Sequence, residues 1–347
     1  MKKILLIVAA ALAMVACNSA KTYVVEGQIA GLSGEVAILD LSGEELMASA
    51  TVTDGTFTMD VKSDGPAFAV LSINGQMTTP VFLDGSPIKI VGDVANPQTI
   101  VAGGTAANDG FADYNTMQWE LMGPVMSGEV ADDKVMEIFM EIEQRTAESY
   151  EKNADNLWGA YLLVSNRYRE MEAEEILATI EGYPKDIQKM SEIALLKEYA
   201  EGRIKTGIGQ RYTDITMPNV EGVEVPLSEV LAMNKYVLLD FWASWCRPCM
   251  SELPYLHEAY KAYHPLGFEI YGVSLDEDSA AWKSTVQQQN MSWVNVSTLQ
   301  GWNTPAAKTY SIDSIPANLL IDAEGRIVAK NLRGEALAEK LYELLGE

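Results

Sequence analysis

The peptide Trp245-Cys246-Arg247-Pro248-Cys249 constrains this chain more than any other stretch. It follows a short apolar run, Tyr236-Val237-Leu238-Leu239-Asp240-Phe241-Trp242, that reads as a buried strand. It precedes an amphipathic segment that reads as a helix. Two cysteines separated by two residues, where a strand passes into a helix, are placed for reversible disulfide chemistry. The helix amides and dipole stabilise a thiolate at Cys246, and partial exposure there is expected to let a partner disulfide approach. Cys249 lies one turn on, within reach to resolve a mixed disulfide.

The run from Asp240 to Cys249 resembles, residue by residue, the strand, Trp-Cys-x-x-Cys and helix start of the thioredoxin superfamily. It is most similar to the membrane-anchored bacterial thiol-disulfide oxidoreductases of the TlpA and ResA type. The resemblance covers residues 208–347. It implies an α/β domain, a mixed sheet with helices on both faces, that exchanges disulfides without a cofactor. Ile315-Pro316, ahead of the strand Leu319-Leu320-Ile321, matches the family's cis-proline, so the backbone of Ile315 is expected to face an extended substrate beside Cys246. Asp240 matches an acid that assists the second cysteine. Burial in an apolar strand should raise its pKa. Glu252, three residues after Cys249, matches a Glu given a similar task in the ResA branch. Which of the two carboxyls moves the proton stays open. Arg247 adds a cation beside the nucleophile. Pro248 fits the first helical turn, where its missing N–H is not needed. Trp242 and Trp245 are expected to shape an apolar surface around the pair. A structural zinc site is disfavoured, since only His257 and His264 stand ready to complete four ligands.

The surrounding pattern supports such a domain. A helix is expected at Leu227–Met233, a strand at Phe268–Ser274 and a helix at Ser279–Asn290. A short strand follows at Trp293–Val296, then a helix at Thr304–Tyr310. A hairpin turns across Asp322-Ala323-Glu324-Gly325, and a closing helix spans Leu337–Leu345. Strands alternating with helices and ending in a hairpin give a sheet covered on both faces.

The N-terminus reads as a targeting segment. Lys2-Lys3 precede thirteen apolar residues, Ile4 to Ala16, and then Cys17. As a helix that run spans roughly 20 Å, short of a bilayer core of about 30 Å. Met14-Val15-Ala16-Cys17 resembles a bacterial lipobox, with Met14 where Leu is usual. Lipidation of Cys17 would also account for the odd member among three cysteines. A plain signal peptide before an incidental cysteine is the alternative. Residues 1–17 are thus assigned to a lipoprotein signal and its acceptor, with the rest extracytoplasmic and facing the periplasm, because Asn18-Ser19-Ala20-Lys21 carries no acidic run.

Residues 22–105 read as a small β-sandwich or barrel of six or seven strands. Thr56 to Val61 alternates strictly, and Asp54-Gly55, Asn74-Gly75 and Asp84-Gly85 give hairpin-type turn signals. This part resembles the β-rich domain between anchor and thioredoxin-like domain in bacterial lipoproteins. Residues 106–206 read as helical, punctuated by Pro124, Gly159 and Gly182-Tyr183-Pro184. Val135, Ile138, Phe139 and Ile142 share one face, as do Trp158, Tyr161 and Leu162. Both stripes read as ordinary core. Residues 207–347 form the thioredoxin-like domain.

A net charge of −24 argues against nucleic acid and against electrostatic docking on anionic membranes. The expected function is a cell-envelope thiol-disulfide oxidoreductase that reduces disulfide-bonded envelope proteins through Cys246 and Cys249. A membrane electron donor is implied by the resemblance. Arg247 and the helix dipole favour oxidant character, while ionised Asp240 and Glu252 oppose it, and only the resemblance selects reduction. Two other readings stand beside it. One is a thiol peroxidase, although Trp242-Ala243-Ser244-Trp245 replaces the usual peroxidatic setting. The other is a ligand-binding lipoprotein with a vestigial thioredoxin domain.

Overall fold

The computed structural model describes residues 20–346. The proposed signal segment 1–17, with Cys17, lies outside the described residues. The chain divides into two compact units. One gathers the residues up to Met171 together with Ala178–Leu195. The other gathers Glu172–Leu177 with the chain from Leu196 on.

The first unit opens with eight strands: β1 Lys21–Ala30, β2 Gly34–Asp40, β3 Leu46–Val52, β4 Thr56–Ser63, β5 Ala67–Ile73, β6 Gln76–Leu83, β7 Ile88–Asp93 and β8 Asn96–Gly103. They form two four-stranded sheets, ordered β4-β1-β7-β8 and β3-β2-β5-β6. The alternation in β4 buries Phe57, Met59 and Val61 and leaves Thr56, Thr58 and Asp60 exposed. These residues join Val25, Ile38, Leu71 and Ile90 in one core. This is a sandwich, with more strands than the six or seven expected.

Asn74-Gly75 closes the β5–β6 hairpin, as its composition predicts. Asp54-Gly55 and Asp84-Gly85 do not close hairpins. β3 and β4 belong to different sheets, as do β6 and β7, so these turns carry the chain across the sandwich. The Asp84 carboxylate instead accepts the Ala107 N–H at 2.9 Å, serving a helix start distant in sequence.

That helix is α1, Ala106–Met126, followed by α2 Asp132–Lys152, α3 Leu157–Ser165, α4 Ala173–Gly182 and α5 Ser191–Lys205. Asn108 fastens α1 to β6. Its amide oxygen accepts the Phe82 N–H at 3.0 Å, and its amide nitrogen donates to the Phe82 carbonyl at 2.7 Å. Phe82, Phe111, Trp158 and Tyr161 meet around this point with centroids 5.4–5.9 Å apart. The Trp158 stripe is therefore core, as expected. The α2 stripe is not. No residue of α2 is fully buried: Val135, Ile138 and Ile142 are half-buried and Phe139 is exposed. Amphipathic spacing sorts residues onto faces, but it does not set how deeply neighbouring helices, here α1 and α3, cover the apolar one. Gly159 lies inside α3 rather than ending a helix.

The second unit carries the hairpin β9 Thr216–Pro218 and β10 Glu224–Pro226, then α6 Leu227–Met233, β11 Tyr236–Trp242, α7 Arg247–Tyr263, β12 Phe268–Ser274, α8 Ser279–Gln288, β13 Val294–Val296, α9 Pro305–Thr309, β14 Ala317–Asp322, β15 Ile327–Lys330 and α10 Glu335–Leu345. Its five-stranded sheet is ordered β13-β12-β11-β14-β15. β11, β12 and β13 run parallel, while β14 and β15 are antiparallel to their neighbours. Alternation along β11 splits the core in two. Leu238 and Trp242 face Leu253 and Leu256 of α7 and Leu337 and Leu341 of α10. Val237, Leu239 and Phe241 join Leu227, Val230 and Leu231 of α6 on the other side. The chain thus has the thioredoxin-like mixed sheet, covered on both faces, that its sequence implies. Among the described residues, no helix is long and apolar enough to cross a membrane.

Candidate active site

The geometry that delivers Cys246 begins at the end of β11. The chain leaves Trp242 and turns through Ala243, Ser244 and Trp245. The Ser244 N–H donates to the buried Asp276 carboxylate at 3.0 Å, and the Ser274 hydroxyl donates to the same oxygen at 2.7 Å. The Leu275 N–H donates to the Trp242 carbonyl at 2.8 Å. These bonds pin the turn against the end of β12.

Cys246 is the N-cap of α7, and its Sγ accepts the Cys249 N–H at 3.2 Å. The two cysteines are joined as a disulfide. Arg247 and Pro248 open the helix and are exposed. Cys246 is only 4% exposed, which corrects the expectation of partial exposure. In the bonded pair Sγ is drawn over the first turn of α7, with the Ile315 carbonyl oxygen 3.8 Å away. The Ile315–Pro316 bond is cis, so this expected feature stands beside the sulfur. Trp245 is 57% exposed and meets Trp302, 43% exposed, with ring centroids 6.5 Å apart. Trp242 is buried in the core and does not shape the surface.

The strand alternation sets Asp240 on the same face as Leu238 and Trp242, the face that α7 covers with Cys249. Asp240 is 5% exposed. Burial pushes its pKa up to about 7, and the neighbouring Glu252 charge adds to the rise. The Arg333 guanidinium and a hydrogen bond with Asn318 pull the other way. Glu252 is not a solvated helix charge. It is partly buried, and its Oε2 accepts the Gly334 N–H at 2.9 Å. Gly334 itself takes a φ of 53°, which suits a residue without a side chain at this close approach. The two acids thus belong to one cluster.

Sequence reasoning missed two members of that cluster. Asn318, opposite Asp240 in the β11–β14 register, accepts the Leu332 N–H at 2.9 Å and donates to the Leu332 carbonyl at 2.8 Å. An amide inside the apolar run Ala317–Ile321 was the available signal, since a buried polar side chain requires partners. Arg333 donates to the Pro316 carbonyl and faces both Asp240 and Glu252. Its position between β15 and α10 carries no comparable signal.

His257 and His264 point elsewhere. The first bonds the Gln289 carbonyl at 2.9 Å and the second the Phe268 carbonyl at 3.0 Å. Among the described residues, no group of three or more His, Cys, Asp or Glu side chains gathers to hold a metal ion.

Comparison with known proteins bears on both parts of the chain. Residues 208–330 match the AhpC/TSA family, and residues 23–111 match a domain of unknown function, DUF4369. The thiol-disulfide oxidoreductase ResA of Bacillus cereus (strain ATCC 10987) is 31% identical over 151 residues, which is 44% of this chain and 84% of that protein. ResA of a second Bacillus cereus strain is 34% identical over 40% of this chain and 76% of its own length. A solved thiol-disulfide oxidoreductase of Bacteroides fragilis is 36% identical, with a TM-score of 0.38, covering 39% of this chain and 100% of that one. The Cys-x-x-Cys helix start and the relationship to ResA together establish that this chain is an oxidoreductase belonging to the TlpA/ResA-type thiol-disulfide oxidoreductases of the thioredoxin superfamily.

Proposed function

We propose that this protein reduces disulfide bonds in cell-envelope proteins. In this reading it is lipid-anchored through Cys17, faces the periplasm, and takes its electrons from a membrane donor. The observation that carries the exchange chemistry is the buried carboxyl of Asp240, poised near neutral pH on the sheet face that α7 covers, and the resemblance to the TlpA and ResA type selects reduction as its direction. A proton acceptor there suits the deprotonation of a buried thiol.

The steps follow from the roles of the residues. In the reduced protein, the Cys246 thiolate at the α7 N-terminus attacks one sulfur of a partner disulfide. The partner's other sulfur leaves as a thiolate, and a mixed disulfide forms. Extended backbone of the partner lies along Ile315, ahead of Pro316. Cys249 then gives its proton to the Asp240 carboxylate, and its thiolate attacks the Cys246 Sγ. The partner leaves as a thiolate, and the Cys246–Cys249 disulfide remains. Two electrons have passed to the partner, and the membrane donor restores the dithiol. Glu252 holds the Gly334 loop and biases Asp240 towards its protonated form.

The test is a trap. Cys249→Ser is expected to attack but not resolve, so it accumulates mixed disulfides that identify the partners. Cys246→Ser is expected to lose reductase activity towards a disulfide-bearing protein while keeping its fold. Equal activity in wild type and Cys246→Ser would refute the assignment.

A further inference from the structure

Arg333 stands outside the motif that defines the site, yet its side chain and its two chain neighbours together reach several parts of it. It sits in the loop between β15 and α10. Its guanidinium donates to the Pro316 carbonyl and, at 3.3 Å, to its own Leu332 carbonyl. The next residue, Gly334, donates to Glu252 on α7. The residue before it, Leu332, is bonded through both backbone groups to Asn318 on β14. Three consecutive residues of one loop therefore link the cis-proline segment, the helix of the cysteines, and the strand opposite Asp240.

The electrostatic surroundings are equally specific. Facing Asp240 are Glu252 from α7, Arg333 from the β15–α10 loop, and the Asn318 amide from β14. β12 contributes only Gly272 at the paired position, which has no side chain. Arg333 in turn faces Asp240 and Glu252. Two carboxyls thus share one cation whose planar fork is already committed to carbonyl oxygens. A guanidinium can serve both because it has five donors and a delocalised charge, whereas an ammonium is a point charge with no fixed fork.

We propose that Arg333 is a positioning residue of the exchange reaction, holding the Pro316 segment in place and presenting the positive charge that Asp240 and Glu252 share. The proposal rests on the reductase reading above and deepens it. With Arg333 present, the Asp240 carboxylate is available as a proton acceptor for Cys249 at lower pH. Without it, that carboxyl stays protonated to higher pH and the resolving step slows there. The bonds made and broken are unchanged.

The closing experiment reads Asp240 directly and needs no partner protein. The carbon-13 carboxyl signal of Asp240 is titrated in wild type, Arg333→Gln and Arg333→Lys. The Gln variant is expected to titrate about one pH unit higher, equivalent to about a tenfold loss of carboxylate well below the midpoint. The Lys variant keeps the charge and should titrate near wild type. It loses the fork, however, so its KM for a disulfide-bearing protein should rise about threefold, with the resolving rate little changed. In stopped-flow fluorescence, the acid limb of the resolving step should move with the titration in Arg333→Gln and rejoin wild type at high pH. An unmoved Asp240 titration in Arg333→Gln overturns the proposal, as does a rate loss that is uniform across pH. Should the Gln variant not fold, the Lys variant decides. An Asp240 midpoint displaced by a full pH unit despite the retained charge, or an unchanged KM, overturns it. A wild type that titrates as expected but resolves no mixed disulfide refutes the reductase reading instead.

Discussion

Replacing Asp240 by Asn removes a carboxyl whose protonated form the fold favours. The pKa of Asp240 rises from the usual 3.8 to about 7, chiefly through burial. Between those values the folded chain binds a proton that the unfolded chain releases. The sign follows: the stability contributed by this group is fully present below the unfolded pKa and is lost as pH climbs through the folded one. At about 1.4 kcal/mol for each pKa unit, the difference amounts to about 4 kcal/mol. Asn cannot ionise, and it keeps a partner in Asn318. The stability of Asp240→Asn relative to wild type should therefore improve by about 4 kcal/mol between about pH 4 and about pH 8.5. Guanidinium unfolding of the oxidised proteins measures this. Tryptophan fluorescence is the natural probe, because five of the seven tryptophans lie at or beyond Trp242. Taking the difference between two pH values cancels whatever the substitution costs in packing. A relative stability that changes by less than about 1 kcal/mol across that range would refute the argument that burial dominates this carboxyl. The same variant should resolve mixed disulfides slowly even where it is the more stable protein, separating the chemical role of Asp240 from its structural cost.

Further outcomes follow from other parts of the chain. Cys17→Ser should move the protein from the membrane to the soluble fraction, and retention in the membrane would exclude the lipid anchor. Equilibration with glutathione or dithiothreitol should place the Cys246–Cys249 couple nearer about −270 mV than about −120 mV, and a value above about −180 mV would assign oxidase or isomerase chemistry instead. Asn108→Ala strands the N–H and carbonyl of Phe82 in a buried setting. It should cost the first unit about 3 kcal/mol in a urea titration, and a cost below about 1 kcal/mol would show that the two groups find other partners.

The site was legible in the sequence where it is local. Strand, turn and helix around Cys246 are contiguous, and each is encoded by its own composition. Asp240 and Glu252 lie within six residues of a cysteine, so strand alternation and helix spacing sufficed to place them. Asn318 and Arg333 were not found, because their roles depend on a sheet register and a loop dozens of residues away. The sandwich shows the same division. β4 announces itself by strict alternation. β3 is built largely of Ala, Ser and Thr, and β8 begins Asn96-Pro97-Gln98, a composition that disfavours strands. Asp-Gly pairs correctly marked turns at Gly55 and Gly85. A dipeptide cannot say whether the next strand returns beside the last or crosses to the opposite sheet. The α2 stripe failed for a related reason, since periodicity is a property of one helix and burial is a property of two.

The place of β1 within its sheet has a mechanical consequence. β1 begins at Lys21 and is flanked on both sides, antiparallel by β4 and parallel by β7. A pull on its N-terminal end loads both ladders in shear, so that many hydrogen bonds must yield together rather than one after another. With the anchor proposed at Cys17, only Asn18, Ser19 and Ala20 separate the lipidated residue from that strand, a tether of at most about 14 Å. Tension from the membrane would then enter the sandwich through one of its best-braced strands, while the short leash keeps the sandwich close to the headgroups.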